Sequence, residues 1–442
     1  METKTFNYID LFAGIGGMRL AFENAYQEQH KEKEKAKCIL TSEIKPYALI
    51  TYNSIFNETN KVLNIKNVDE NKFLNENNKI DFVLGGFPCQ PFSYAGKGLG
   101  FTDTRGTMFY EICRFLKGKD GKYKPKGFVL ENVEGLLTHD NGRTFNAIIS
   151  ELENLNYNVS YVVLDSYDFG LPQTRKRIFI CGSLYEKPNL NVIPKMKHKT
   201  FKDIREYNLP IINNNFTKRI EDYCLGDFDL IKGKKIRDKR AGQDNIHSWE
   251  LNLRGKTSFI GRSIMTFVLE ERRKKSFAKK YNIEWKDGMP IPKKYILTHF
   301  LEMSICTKED IEEAIDNLLN NGYLKKCYGI EENEIYNSKK DDFYKIPTGN
   351  LSFPFVSFQD DNSPLNTIVA TDISHLGIIE KNGIRHISTK ELLQAFGYPI
   401  DFEKHFNFIS KTNQFDLFGN TVCVPVVSYC VKQVLETFKN EF

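Results

Sequence analysis

Short apolar runs alternate with longer amphipathic stretches from residue 6 to about 185, and no other feature of the chain restricts its fold as much. The runs are NYIDLF (7–12), CILTSE (38–43), DFVLGG (81–86), GFVLEN (127–132), YVVLD (161–165) and RIFICGS (177–183). Between them lie helical patterns such as GMRLAFENAY and GRTFNAIISELENL. Apolar strands interleaved with one-faced helices are buried as a parallel or mixed sheet covered by helices on both sides. The expected fold is therefore α/β and doubly wound, a scaffold that carries ligands at the carboxyl edge of its strands.

At 442 residues the chain has room for two or three domains of about 100–200 residues each. Beyond Pro188 the alternation stops, and polar, basic, Asn-rich sequence takes over. Residues 187–294 carry 26 Lys and Arg against 13 Asp and Glu; the whole chain has a net charge of +5, so the remainder stands at −8. A basic middle inside an acidic remainder suggests an insert that binds a polyanion. Its densest runs are KGKKIRDKR (232–240) and EERRKKSFAKK (270–280). Either alone reads equally well as a solvated face, and two in one segment favour nucleic acid. Within the insert, 296–330 reads as helix, turn, capped helix and strand. Thr307 and Asp310 form a capping-box pattern, Ile311, Ile315, Leu318 and Leu319 an apolar stripe, and Gly322 a stop. The layout looks like a winged helix near 294–330, with 308–321 either a groove-reading helix or a plain packing unit. Regular structure returns from about 385. The expected division is 1–188 with 415–442 as one domain, 189–384 as the insert, and 385–414 as a hinge and return segment.

Nine cysteines, at 38, 89, 113, 181, 224, 306, 327, 423 and 430, include no C-x-x-C pair and no Cys/His cluster at zinc spacing. Neither a structural metal nor a disulfide framework is expected. No apolar run approaches the ~18–20 residues of a membrane span, and METKTFNYID lacks the basic end and apolar stretch of a signal peptide. The expected location is cytoplasmic, without a membrane partner.

Four places carry chemistry. Asp10-Leu11-Phe12-Ala13-Gly14-Ile15-Gly16-Gly17 is a glycine turn between the first strand and a helix, where a ligand can approach backbone and helix N-terminus. A dinucleotide fingerprint would need glycine where Arg19 stands, so the turn suits a nucleoside cofactor better than a pyrophosphate one. Glu43, closing the second strand, can take ribose hydroxyls. GGFPCQPFSYAGKGLGFTDTRGTMF (85–109) follows a strand: Pro88 and Pro91 stiffen the backbone around Cys89, and Gly96, Gly98, Gly100 and Gly106 loosen the loop beyond. A cysteine held rigidly ahead of a mobile loop suits a nucleophile that must then be shielded from water; the alternative is a buried, inert thiol. Glu131 and Asn132 end an apolar strand, where a carboxyl of raised pKa can act as a general acid. In Gln173-Thr174-Arg175-Lys176-Arg177, the two arginines point to the same face of an extended segment and can hold an anion or a carbonyl oxygen.

In order and content these motifs resemble one family, the DNA cytosine-5 methyltransferases, especially the bacterial type II restriction-modification kind. DLFAGIGG is similar to its cofactor turn, GFPCQPFS to its nucleophile loop, LENV to its glutamate strand and QTRKRIFI to its arginine motif. RHISTKELLQAFGYP resembles the segment before the last helix, and FGNTVCVPVV the motif that returns to the cofactor. The resemblance covers about 1–185 and 385–442, in the family's order. It implies an S-adenosylmethionine-dependent methyltransferase fold with a smaller target-recognition domain over the variable region.

The chemistry that the resemblance implies begins with Cys89, which as thiolate adds to C6 of a cytosine. Glu131 holds and protonates N3, Arg177 binds O2, and Arg175 helps to orient the cysteine and a neighbouring phosphate. Pro88 and Asn132 belong to the same catalytic set. C5 takes the methyl of S-adenosylmethionine, and elimination of Cys89 with loss of the C5 proton releases 5-methylcytosine. The target base must flip out of the stack, which costs a few kcal/mol. By the same carry-over Phe12, Gly14, Gly16, Glu43, Ile44, Ile65, Gly86, Met108, Asn420 and Val422 line the cofactor. Gln90, Ser93 and Arg105 of the nucleophile loop, and Lys234, Lys235, Arg237, Arg272, Arg273 and Lys274 of the basic runs, meet DNA. Two departures stand out: Asn64 replaces an aspartate near the adenine amino group, and Thr421 a serine. The expected partners are duplex DNA and a separate cognate restriction endonuclease acting on the same site, and the expected state is a monomer. Alternatives are a tRNA cytosine-5 methyltransferase and an inactive DNA-binding regulator. A fused endonuclease has no paired-carboxylate constellation to support it.

Overall fold

The structure, a computed structural model, describes residues 5–30, 35–75, 79–88, 108–119, 121–194, 196–327, 342–347 and 353–439. The chain begins with β1 (Thr5–Leu11), α1 (Gly17–His30), β2 (Lys35–Ser42), α2 (Pro46–Phe56), the single turn α3 (Glu70–Phe73), β3 (Phe82–Gly86), α4 (Met108–Lys117), β4 (Gly127–Val133), α5 (Arg143–Asn154), β5 (Asn158–Asp165) and β6 (Lys176–Ser183). These strands, one at each apolar run, form one sheet in the order β2-β1-β3-β4-β6-β5. β6 runs antiparallel to both its neighbours, and the other pairings are parallel. Alternate residues of the central strands serve opposite faces. Ile9, Leu11, Val83 and Leu130 pack with Ile112 and Phe115 of α4 and Ile148 of α5. On the other face Tyr8 and Phe82 meet Phe22 of α1, at 4.3 and 5.0 Å between ring centres. Covered on both faces, the strands read as continuous apolar runs.

The chain continues through α6 (Asn215–Cys224), β7 (Lys235–Ile236), β8 (Asn245–Ile246), α7 (Phe259–Glu271), α8 (Lys275–Lys280), β9 (Ile291–Pro292), α9 (Lys293–Glu302), α10 (Lys308–Asn320), β10 (Lys325–Cys327), β11 (Phe343–Lys345), β12 (Ser357–Gln359), β13 (Leu376–Glu380) and β14 (Gly383–His386). It ends with α11 (Thr389–Phe396), α12 (Lys411–Asn420) and α13 (Val424–Glu436).

Two compact units result, one of Met1–Glu206, Asp361–Ile373 and Ser388–Phe442, the other of Tyr207–Asp360 and Ser374–Ile387. The division expected after Pro188 falls after Glu206, and Asp361–Ile373 rejoins the first unit. Backbone bonds explain this: Phe201 N–H donates to Ser363 O (3.0 Å), Lys202 N–H to Asp361 O (2.8 Å) and Thr174 N–H to Leu365 O (2.8 Å). Residues 388–414, read from sequence as part of a hinge, also belong to the first unit.

In the second unit β14-β13-β12-β7-β8 form one sheet and β10-β11-β9 another. Ile264 and Val268 of α7, Ile296 of α9, and Ile311, Ile315 and Leu318 of α10 pack into one core with Ile291 and Phe343 of the smaller sheet. In chain order these elements are α7, α8, β9, α9, α10, β10 and β11, an order similar, α8 apart, to that of a winged helix. Thr307 caps α10, its Oγ1 accepting from Asp310 N–H (3.2 Å) while the Asp310 carboxylate accepts from Thr307 N–H (2.9 Å). The outward residues of α10, however, include Glu309, Asp310, Glu313 and Asp316 against one cation, Lys308. A helix in the major groove lies between two rows of phosphates, which repel such a face. Of the two alternatives for 308–321, this acidic face favours the plain packing unit over the groove reader.

Candidate active site

The first strand stops at Leu11 because the next residues turn left-handed: Phe12 has φ 58°, Gly14 φ 54° and Gly16 φ 83°. For Phe12 this conformation costs roughly 1–2 kcal/mol, a strain held by its surroundings. Glycine is required at the end of the turn by close approach. A Cβ on Gly16 would lie 2.3 Å from the Phe56 ring, and one on Gly17 2.2 Å from Tyr398 Oη and 2.8 Å from Val422 Cγ2. Gly14 N–H donates to Glu43 Oε2 (2.8 Å), and the N–H groups of Ile44 and Lys45 donate to Glu43 Oε1 (2.8 Å each). A carboxylate offers about four acceptor positions, so Glu43 keeps one for a hydroxyl without breaking a bond.

Around this turn Ile44 exposes 60% of its surface, Val422 7% and Ile65 1%. Ile44 can therefore cover an adenine face, whereas Ile65 and Val422 form the floor. Asn64 Oδ1 accepts from Lys66 N–H (3.1 Å), which leaves its amide N–H groups for a ligand. Asn420 is exposed at the end of α12, Gly86 ends β3, and Met108 opens α4. Arg19 turns away into ion pairs with Glu23 (2.9 Å) and Glu58 (2.8 Å). An open glycine turn, an acid with a spare acceptor position and an exposed aliphatic side chain fit the nucleoside of S-adenosylmethionine.

Parallel pairing of β3 with β4 sets Gly86 opposite Glu131, and a Cβ on Gly86 would stand 3.6 Å from Glu131 Oε2. Glu131 Oε1 lies 3.1 Å from Arg177 Nε, with only 12% and 13% of the side chains exposed. Burial pushes the Glu131 carboxyl above its ordinary value, against the pull of Arg175 and Arg177. Asn132 is buried; its Nδ2 donates to Phe87 O (3.0 Å) and its Oδ1 accepts from Val133 N–H (2.9 Å). It thus fixes the backbone next to the exposed Pro88. Cys89, Gln90, Ser93 and Arg105 lie outside the described residues. Beside Arg177 a cleft of about 370 Å³ opens between Val133–Gly135, Asp165, Thr174, Lys176 and Thr367.

Arg175 departs from expectation. Its guanidinium is buried and donates to the carbonyls of Ile368 (2.6 Å), Thr421 (2.9 Å) and Gly419 (3.4 Å), with Phe396 stacked 5.4 Å away. Carbonyls occupy the donors that a phosphate would need, so the residue is a clamp on the return segment rather than an exposed phosphate contact. Sequence reasoning missed several partners. Gln173, fully buried, donates to Ala395 O (3.1 Å) and accepts from Ile368 N–H (3.2 Å). Tyr398 Oη meets Thr421 Oγ1 at 2.5 Å. Gln173 and Tyr398 stand inside the motifs quoted above, which was the available signal; Thr367 stands in none.

In the second unit the two basic runs differ. Lys234 and Lys235 are half-buried and Arg237 is exposed, and none of the three forms an ion pair among the described residues. Arg272 is buried and donates to Asp287 Oδ1 (3.0 Å), Arg273 Nε shares that oxygen (2.9 Å), and Lys274 pairs with Glu271 (2.6 Å). The expectation that 272–274 contact DNA gains no support from this arrangement, in which the three cations share two carboxylates, Asp287 and Glu271, within their own unit.

A fold of this kind hosts many reactions; a glycine turn beside an acid with a spare acceptor position fits the nucleoside cofactor that an α/β methyltransferase needs. The family model for C-5 cytosine-specific DNA methylase matches residues 6–436, and the chain belongs to that family. It is 39% identical to the type II methyltransferase M.NlaIV of Neisseria lactamica, over 97% of this chain and 99% of that one. Against M.HgiCI of Herpetosiphon aurantiacus the identity is 35%, over 98% of each. Among solved structures the methyltransferase EhMeth of Entamoeba histolytica is similar in fold, with a TM-score of 0.54 at 13% identity over 99% of this chain and 100% of that one. The protein is a DNA (cytosine-5)-methyltransferase.

Proposed function

We propose that the enzyme methylates one cytosine within a specific duplex site and so protects its host's DNA from a separate endonuclease that cuts the same site. The Glu131–Arg177 pair, 3.1 Å apart with Glu131 opposite Gly86 at the end of β3, is the observation that carries the reading. Burial favours the protonated Glu131 carboxyl, which can hold and protonate N3 of a flipped cytosine. Arg177 keeps its guanidinium beside that carboxyl and can bind the O2 carbonyl. With N3 protonated, C6 becomes electrophilic enough for the Cys89 thiolate to add, which places electron density on C5. Phe12, Gly14, Gly16, Glu43, Ile44 and Asn420 would hold S-adenosylmethionine, which would supply an electrophilic methyl to C5 as its S–CH3 bond breaks and S-adenosylhomocysteine departs. A base then removes the C5 proton and Cys89 leaves.

The second unit is assigned to target recognition, with Lys234, Lys235 and Arg237 on backbone phosphates. The enzyme acts as a monomer in the cytoplasm, where bacterial chromosomal DNA lies; among the described residues no helix is long and apolar enough to cross a membrane. Near full-length likeness to type II methyltransferases supports the protective role. Bisulfite sequencing of DNA from cells expressing the chain tests the proposal. Protected cytosines at one recurring sequence are expected, and a random or absent pattern would refute site-specific methylation.

A further inference from the structure

We infer that Asp416 is a positioning residue that assembles the cofactor rim by joining stretches of chain remote in sequence. The inference rests on the assignment of that rim to S-adenosylmethionine. Asp416 Oδ2 accepts from Lys45 Nζ (2.6 Å) and from Tyr47 Oη (2.8 Å). Asn420 Nδ2, one helical turn further along α12, donates to Asp416 O (2.8 Å) and Oδ1 (3.1 Å). Lys45 in turn shares Glu43 Oε1 through its backbone N–H, and Glu43 Oε2 holds Gly14 N–H. A chain of contacts therefore runs Gly14–Glu43–Lys45–Asp416–Asn420, entering Lys45 at its backbone N–H and leaving at its amine. It connects the glycine turn, the end of the second strand and the final motif, three stretches expected to line the cofactor.

Folding does not explain this arrangement. The Lys45 and Asp416 side chains are 38% and 30% exposed, where an ion pair is screened by water and adds little to stability. Burial alone would lower the Lys45 amine; the hydrogen bond and charge of Asp416 raise it instead, so the amine stays charged across the neutral range. A carboxylate with three donors on two oxygens orders the rim before the ligand arrives, and such preorganisation appears as affinity. Ile44 lies just before α2 and Asn420 at the end of α12, and the bonds of Asp416 join these two stretches.

The test uses the full chain and S-adenosylhomocysteine as the probe, with binding followed by calorimetry. Asp416→Ala and Lys45→Asp should each bind it about five- to tenfold more weakly, with the unfolding temperature little changed. Lys45→Asp combined with Asp416→Lys should regain most of the loss, because the pair is restored with its charges exchanged. In turnover the loss should fall in KM for S-adenosylmethionine rather than in kcat. Wild-type affinity in Asp416→Ala, or an exchanged pair no better than Lys45→Asp alone, would overturn the role of Asp416. If the wild-type protein itself failed to bind the probe, the cofactor assignment and the inference would fall together.

Discussion

Glutamine in place of Glu131 changes almost no volume and removes one proton. The carboxyl has an ordinary value of 4.5, and an unperturbed group of that kind is protonated in only about 0.3% of molecules at neutral pH. Burial enlarges this fraction, each tenfold gain corresponding to about 1.4 kcal/mol in favour of the protonated form. A positioned general acid contributes about 10²–10⁴-fold, or roughly 2.7–5.4 kcal/mol of the barrier. The variant's Oε1 can still accept from Arg177 Nε, so the guanidinium keeps its partner and its place. Binding of DNA and cofactor should therefore change little while the chemical step slows by about two to four orders of magnitude. Single-turnover transfer of labelled methyl to a duplex, with enzyme in excess, isolates that step. The ratio of wild-type to variant rate cancels the titration of Cys89, and it should fall as pH rises through the raised Glu131 value, because the proton is then lost. Stability follows the same sign: a carboxyl whose folded value is raised stabilises the fold fully below its unfolded value, and that contribution disappears as pH rises through the folded one. Relative to Glu131→Gln, the wild type should thus unfold at a progressively lower temperature as pH rises. A single-turnover rate within about threefold of wild type would remove Glu131 from the mechanism.

Cys89→Ser should abolish transfer yet keep cofactor affinity, since an alcohol is far less ionised than a thiol; wild-type protein should trap a duplex containing 5-fluorocytosine covalently and the variant should not. Replacing Lys234, Lys235 and Arg237 together should weaken binding to all duplexes. It should also flatten the plot of log K against the logarithm of salt concentration by about 0.9 for each phosphate no longer neutralised, measured by fluorescence anisotropy. The Arg272, Arg273 and Lys274 triple variant should leave that slope unchanged and instead lower stability by roughly 1–3 kcal/mol in denaturant unfolding, because buried Arg272 packs within its own unit. Gly17→Ala should cost about 1–3 kcal/mol and raise KM for S-adenosylmethionine, since its Cβ would strike Tyr398 Oη and Val422.

How far the fold was legible depended on which atoms carry it. β1, β3 and β4 lie between helices on both faces, so burial writes itself into the sequence as apolar runs. The return of Asp361–Ile373 to the first unit rests on backbone bonds such as Thr174 N–H to Leu365 O, which demand no particular side chain. α10 was legible as a capped helix from Thr307 and Asp310. Its acidic outer face was legible too, in Glu309, Asp310, Glu313 and Asp316, and it weighs between the two alternatives that the motif layout left open. Asp287, fourteen residues past Arg273, pairs with Arg272 and Arg273 of the second basic run from beyond a turn that no local pattern reveals. Charge counted along a segment overstates the charge that reaches solvent.

The site was legible as residue types and not as roles. Spacing alone puts Arg175 and Arg177 on one face, only the family resemblance gives them different roles, and both act on the charge of Glu131. What separates them is the start of β6. Arg177 lies within the strand, opposite Val133 of β4, and reaches Glu131. Arg175 precedes it, tied by its own N–H to Asp165 (2.9 Å), and sends its guanidinium to carbonyls at 368, 419 and 421. A planar fork of fixed donors is suited to several carbonyls at once, in a way that a single ammonium is not. One short segment thereby holds the end of α12, which bears Asn420, and the guanidinium expected to grip the base. Cofactor rim and base pocket are set by residues two apart, so a displacement of this segment moves both.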